Sequence, residues 1–348
     1  MAMRRSAVER ILAADLITPA QMPSLAGRTC ETWIKARLFR LEDKAARELW
    51  AMYRAAFRDM QEAAYTVEDY AGGVSKAMRE PLVAEWRARL MRLGQDAALH
   101  GAQTALTAYY AGYYGRAWLL DMVTRPDVPV QAPRPQDAMR RILEQGGEGF
   151  DDLVYNLLGK EWRSTYMLEI DDLVVRVTRQ LNLGIREGEG MRPIMRRVSS
   201  AMGTDTKPVL ITDRRRGAVG SAERAQYRAN FNRVQVITRT AVQTASNQGS
   251  ARIYNDNAAL LAGYRHLTAR DERVCSQCAA LDGYLYPVGE WNVPPGNTHP
   301  NCRCTIIPEL REDYADLYLS EPPRETFNEW AALLGVDYLL GAFMGVVV

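Results

Sequence analysis

CSQC, from Cys275 to Cys278, followed after a loop by HPNCRC, from His299 to Cys304, decides how the C-terminal half of this chain is read. Four of the five cysteines and one of the three histidines stand in this window. Zinc takes four ligands at tetrahedral angles. A Cys-x2-Cys turn offers two thiolates to one ion while a second short element closes the shell. On an extended strand Cys302 and Cys304 aim at one face, because side chains alternate with period two. Two ligand sets remain open: four cysteines with His299 beside them, or three cysteines with His299 in place of one sulfur. The metal candidates are therefore Cys275, Cys278, His299, Cys302 and Cys304, and the expected cofactor is a structural zinc ion.

Such an ion cross-links the loop between the two halves of the motif. That loop holds Gly283, Gly289, Pro294, Pro295 and Gly296, so metal binding becomes folding free energy for a small subdomain. Closed coordination is structural, because a catalytic zinc keeps one position open for water. Two other readings stand beside it. Cys275 and Cys278 are spaced as a redox pair, but no thioredoxin-like strand-helix setting precedes them. Alternatively, the thiols pack or pair as disulfides without metal. The clustering argues against a secreted disulfide scaffold, in which pairs are spread along the chain, and points to synthesis in a reducing compartment.

Working outward, 348 residues are enough for two domains with cores of their own. A hydrophobic fraction of 47% with 25% charged residues excludes disordered, collagen-like and coiled-coil classes. The net charge of +2 supplies no global field toward nucleic acid or an anionic membrane, so any such contact needs a local patch. The N-terminal apolar stretch is broken by Glu9, Arg10 and Asp15, unlike a secretory signal. The last 18 residues, Ala331 to Val348, are apolar apart from Asp337, but three glycines interrupt them; they read as a docking tail rather than a membrane span.

Helical periodicity runs from Ala36 to Tyr65, with Leu38, Leu41, Ala45, Leu49, Met52, Ala56 and Met60 on one face. A second tract runs from Lys76 to Met122 and ends in Tyr109, Tyr110, Tyr113, Tyr114 and Trp118. Rings at this spacing pack a helix interface more often than they stack on bases. Four prolines between Thr124 and Pro135 favour an extended connection. Shorter helices are expected over Gln136–Glu144 and Phe150–Gly159. Leu168–Leu183 is helical or, given Val174, Val175 and Val177, a strand. A Gly-rich turn at Gly184–Gly190 leads into a helix over Met191–Met202.

Between Met191 and Thr240 stand eleven basic residues against three acidic ones. Arg192, Arg196, Arg197, Arg214, Arg215 and Arg216 are the candidates for sequence-independent contact with phosphates of double-stranded DNA, a contact that fades steeply with salt. Arginines that solvate a helix face or pair with acids, of which Glu309–Glu329 supplies seven, are the plainer reading. Outside the cysteine motif the remaining histidines, His100 and His266, each stand alone. His100 suits packing in a helical tract, and His266 suits support of the cysteine motif from behind its ligands. Arg270, Asp271 and Glu272 form a charged trio that a salt-bridged turn explains.

The runs TARDERVCSQCAALDGYLYP (Thr268–Pro287) and PPGNTHPNCRCTIIP (Pro294–Pro308) resemble the phage Mu F-like minor head protein family, also called the phage head morphogenesis family. Asp271, Cys275, Cys278, Asp282, Gly283, His299, Pro300, Asn301, Cys302, Arg303 and Cys304 stand where the family's motif has them. The segment Ile237–Tyr254 looks like the family's helix. The resemblance spans roughly Leu168 to Pro308. It departs at Ala241, where the family often has an acidic residue after the Arg-Thr pair, and some relatives lack the first cysteine pair.

Periodicity and the resemblance together give a mainly α fold: a helical N-terminal domain, within residues 1–160 that match no motif of the family, then, as the resemblance implies, an α+β head-morphogenesis domain with a small Cys/His-stapled subdomain. The domains expected are 1–125 for portal or capsid docking, 126–135 as linker, 136–308 as the Mu F-like part, and 309–348 as a docking tail. The implied protein is a non-enzymatic minor capsid component of the virion at the portal vertex, made in the host cytoplasm. It acts in head morphogenesis and in DNA packaging or ejection. Its implied partners are the portal protein, the major capsid or scaffolding protein, and double-stranded DNA, with no membrane. The competing expectation is a toxin-like or nuclease enzyme carried in the virion, although only about 40 residues follow Pro308, short of an independent catalytic domain.

Overall fold

The computed structural model describes residues 25–65, 76–132, 162–202, 219–268, 274–289, 299–300, 302–314 and 323–334. Among them, seven α-helices and one small sheet follow in the order α1 (Leu25–Tyr65), α2 (Lys76–Val123), α3 (Trp162–Arg186), α4 (Met191–Met202), α5 (Val219–Asp256), β1 (Leu261–Leu267), α6 (Ser276–Leu281), β2 (Leu285–Tyr286), β3 (Thr305–Leu310) and α7 (Phe327–Leu334). The fold is mainly helical with a small mixed subdomain, as the sequence leads one to expect. None of the described helices is long and apolar enough to cross a membrane. The expected helices at 136–144 and 150–159, the charged trio at 270–272 and the tail beyond Leu334 lie outside the described residues.

The chain forms two compact units: one gathers Met1–Asp43, Gln103–Gly159 and Ile237–Val348, the other Lys44–Ala102 and Lys160–Val236. This grouping cuts across the continuous domains drawn from the sequence at 1–125 and 136–308. The physical reason is helix length. At 48 residues α2 is about 72 Å long at ~1.5 Å per residue, more than one small core can cover. So α1, α2 and α5 each give one part to each unit.

In the second unit, α3 buries Ile170, Leu173, Val177 and Leu181, spaced by three and four. Val175 points to solvent at 65% exposure. That period decides for helix over strand in the valine-rich stretch. Across a turn where Gly188 takes a φ of 72°, α4 buries Met191, Ile194, Met195, Val198 and Met202 against the same core, which Trp86, Leu90 and Met60 complete. His100 sits here with Nε2 3.2 Å from the Ala45 carbonyl, a packing role.

In the first unit, Cys30, Ile34, Leu38 and Leu41 of α1 and Leu106, Trp118, Leu119 and Leu120 of α2 are buried. Tyr109, Tyr110, Tyr113 and Tyr114 are buried as well, in stacked and edge-on pairs, so the tyrosine cluster is core. Where α2 meets α5, Gly112 faces the Ser246 backbone and Gly249 faces the Tyr109 backbone with no room for a side chain. At α7, Phe327 and Trp330 close over Trp33 and Trp118. The Trp118 indole N–H donates to the Glu325 carbonyl at 3.1 Å.

The sheet has strand order β2-β1-β3, all antiparallel, with Leu267 opposite Thr305 and Tyr264 opposite both Pro308 and Tyr286. Tyr264 stacks between Tyr254 of α5 and Tyr286 of β2. The sheet is thereby anchored on α5, and the loops at its His266–Leu267 end carry the cysteine motif.

Candidate metal centre

Cys275 occupies the N-cap of the short helix α6, and its sulfur accepts a hydrogen bond from the Cys278 backbone N–H at 3.4 Å. This local turn points both thiols of the Cys-x2-Cys step to one side. The chain leaving α6 is fixed to the sheet by backbone bonds: Gly283 N–H donates to the His266 carbonyl, and His266 N–H donates to the Tyr284 carbonyl, both at 2.9 Å. Gly283, at a φ of 81°, makes the reversal that a side chain would oppose. One carboxylate oxygen of Asp282 accepts from both the N–H and the hydroxyl of Thr268 at 3.0 Å, closing the ring between the end of β1 and α6.

From the other side, Cys302 and Cys304 run into β3. The Cys302 N–H donates to the His299 carbonyl at 3.3 Å, a turn that folds the histidine back over the thiols. His299 Nδ1 lies 2.8 Å from the Pro300 carbonyl oxygen. A carbonyl only accepts, so Nδ1 carries the proton, and in the neutral ring the Nε2 lone pair faces the sulfurs. Nε2 is 3.2 Å from both Cys275 Sγ and Cys278 Sγ, and Cys278 Sγ is 3.7 Å from Cys302 Sγ.

All five ligand candidates named from the sequence are thus brought together, as two triads that share Cys278. One is Cys275, Cys278 and His299; the other is Cys278, Cys302 and Cys304; within each, the ligand atoms lie within 4.8 Å of one another. Zinc bonds of about 2.3 Å to sulfur and about 2.0 Å to nitrogen require tetrahedral edges of roughly 3.5–3.8 Å. The separations at Cys278 match this within a few tenths of an ångström, so the residues fit a zinc ion. Cys278, Cys302 and Cys304 are buried, while Cys275 and His299 are partly open to solvent.

The electrostatics follow the same division. Hydrogen bonding from the Cys278 backbone, with His299 nearby, holds the Cys275 thiol below its ordinary range. The Pro300 carbonyl, and then the neighbouring thiolates, push His299 up. Hydrogen bonding to Cys302 and burial push Cys304 well up, so without a cation it stays a neutral thiol. An ion among these sulfurs reverses that preference by stabilising the thiolates.

Several residues of the site escape a sequence reading. Gln243 Nε2 and Asn247 Nδ2 of α5 both donate to the Cys304 carbonyl, at 2.9 and 3.0 Å. Both lie in the segment whose resemblance to the family's helix was visible, but nothing in their identity announces the contact. His266, by contrast, is the residue that the sequence offered as support behind the ligands; it is fully buried, with neither ring nitrogen hydrogen-bonded among the described residues. Burial holds it below its ordinary value, so it is neutral. Arg116, also fully buried, forms an ion pair with Glu31 and donates to the Thr305 hydroxyl at 2.8 Å.

The arginine candidates divide differently. Arg192 and Arg196 are exposed on α4. Arg197 is engaged by Glu189 at 2.7 Å and by Glu187, so its charge is already matched. Arg214, Arg215 and Arg216 lie outside the described residues.

Fold and site together define a mainly helical protein whose small antiparallel sheet carries a subdomain stapled by thiols and an imidazole. Residues 176–307 match the family described as Phage Mu protein F like protein. That stretch, which holds both halves of the cysteine motif, α4, α5 and most of the sheet, is thus similar to the Mu F-like phage head morphogenesis proteins. No curated protein and no solved structure matches the chain.

Proposed function

We propose that this protein is a phage head morphogenesis protein, a non-enzymatic minor capsid component that docks on the portal protein and assists packaging or delivery of DNA, with one structural zinc ion closing its C-terminal subdomain. The match of residues 176–307 to the Mu F-like family, over the same stretch that gathers the five ligands, carries the reading. A portal component has to keep its shape while DNA passes, and a metal staple suits a subdomain whose own core, mostly cysteine, is too small to hold it. Zinc supplies cross-linking here, with Cys278 as the ligand common to both triads and three of Cys275, His299, Cys302 and Cys304 completing the four-coordinate shell. The titratable groups outside the motif support a structural role. His100 packs against a backbone carbonyl, and His266 is sealed in the core, where no substrate reaches it.

Of the six arginine candidates, Arg192 and Arg196 are the exposed ones among the described residues and are the ones proposed to touch phosphate, a contact that is weak, independent of sequence and sensitive to salt. The test is co-expression with the portal protein of the neighbouring coding region. Co-elution of the two at physiological salt is expected. Repeated failure to associate, together with turnover of a nucleic acid or nucleotide substrate, favours the packaged-enzyme reading.

A further inference from the structure

Leu267 opposite Thr305 is the last pair of the β1–β3 ladder among the described residues, and the Cys304 carbonyl stands just before it in the chain. A backbone carbonyl buried at such a place needs a donor, since leaving it unpaired costs about 1–3 kcal/mol. The Cys304 carbonyl has two donors, Gln243 Nε2 and Asn247 Nδ2, one helical turn apart on α5. The orientation of the Asn247 amide is itself determined. Arg116 can only donate, so the Thr305 hydroxyl accepts from it at 2.8 Å. The hydroxyl proton is then directed to Asn247 Oδ1 at 3.4 Å, which leaves the amide nitrogen for Cys304. Arg116 is held from behind by Glu31 of α1. Glu31, Arg116, Asn247 and Thr305 are all buried, with Asn247 completely so.

We infer that Gln243 and Asn247 are positioning residues for the Cys302–Cys304 arm of the metal site, and that the buried chain Glu31–Arg116–Thr305 sets their hold from α1. This rests on the zinc reading only for its metal-binding consequence. The helix amides hold the Cys304 carbonyl at the end of the described ladder, keeping both sulfurs beside Cys278 before any ion arrives. Such preorganisation raises affinity without touching the metal.

The experiment compares wild type with Asn247→Leu, Gln243→Met, Thr305→Val and Thr305→Ser. Ser250→Ala serves as a control on the same helix that removes a buried hydrogen bond to Ser246 without touching Cys304. Cobalt(II) titration followed by zinc competition reads affinity and the number of coordinating thiolates. Iodoacetamide labelling of the metal-free chain, followed by peptide mass spectrometry, reads access to Cys302 and Cys304. Asn247→Leu is expected to weaken zinc binding by roughly 10–100-fold and to lower the thiolate-to-cobalt band. It should also speed labelling of Cys304. Thr305→Val and Gln243→Met should show smaller shifts in the same direction, and Thr305→Ser should behave as wild type.

Folded variants with wild-type affinity and labelling, or an equal shift in Ser250→Ala, overturn the inference. If Asn247→Leu does not fold, Gln243→Met, at a half-buried site, decides. If wild type takes up neither metal, the zinc reading fails, and the labelling rates alone decide whether α5 positions the arm.

Discussion

Gly249→Ala tests how α2 and α5 meet. A Cβ built on Gly249 falls 2.9 Å from both the Tyr109 carbonyl carbon and the Tyr113 backbone nitrogen, and closer still to the Tyr109 oxygen. Those atoms belong to the backbone of α2, so no rotamer change relieves the overlap, and the two helices must separate by about 1 Å. Overpacking of this kind costs ~1–3 kcal/mol. A gap approaching 1 Å also forfeits up to about half of the dispersion energy of the contacts it opens. Alanine returns ~1 kcal/mol of helix propensity over glycine. With Ala105, Leu106, Ala245 and Ser246 buried nearby, the loss is at the upper end of the range, and the expected net destabilisation is about 2 kcal/mol. The assay is urea unfolding followed by circular dichroism, with Gly188→Ala as comparator. Gly188 has a φ of 72° and nothing within 4 Å, so its substitution reports backbone strain alone. Gly112→Ala meets the Ser246 backbone at the same crossing, so its effect should add to that of Gly249→Ala less than fully, because separating the helices once relieves both. A Gly249→Ala protein as stable as wild type, or more so, would show that propensity outweighs contact and refute the reasoning.

Arg116→Met leaves the Glu31 carboxylate buried without its partner and should cost about 3–5 kcal/mol, while Glu31→Leu with Arg116→Met should recover most of it; chemical denaturation of the two variants beside wild type checks this, and equal losses in the single and double variants contradict it. Zinc per chain, by elemental analysis, should fall furthest with Cys278→Ser, the residue common to both triads, and an equal or larger fall with Cys275→Ser or Cys304→Ser counts against the shared-ligand geometry. His266 is held below its ordinary value by burial, so the unfolded chain binds the proton more readily. The stability it contributes is therefore full above about pH 6.5 and declines as pH falls toward the lowered native value. His266→Phe should flatten that decline in the metal-free protein, and an unchanged slope would speak against the buried neutral ring. Finally, DNA retention should weaken with Arg192→Ala and Arg196→Ala and decline steeply with salt, whereas Arg197→Ala should change it less, since Glu187 and Glu189 already engage that charge.

What the sequence determined by itself was local or covalently spaced. The 3.6-residue periods of 36–65 and 191–202 gave helices because an apolar stripe has to be buried wherever it lands. The spacing of CSQC and HPNCRC gave the five ligand candidates because so short a loop returns its ends to one another, and the same residues carried the resemblance to the Mu F-like family. The tertiary structure decided everything that depends on which distant surfaces meet. It split α1, α2 and α5 between two units, since a helix longer than one core has to serve two. It made Val175 an exposed helical residue in a run that also reads as strand. It gave the Cys304 carbonyl to Gln243 and Asn247, about 60 residues away along the chain, because hydrogen bonds are set by distance in space, which spacing along a chain does not encode.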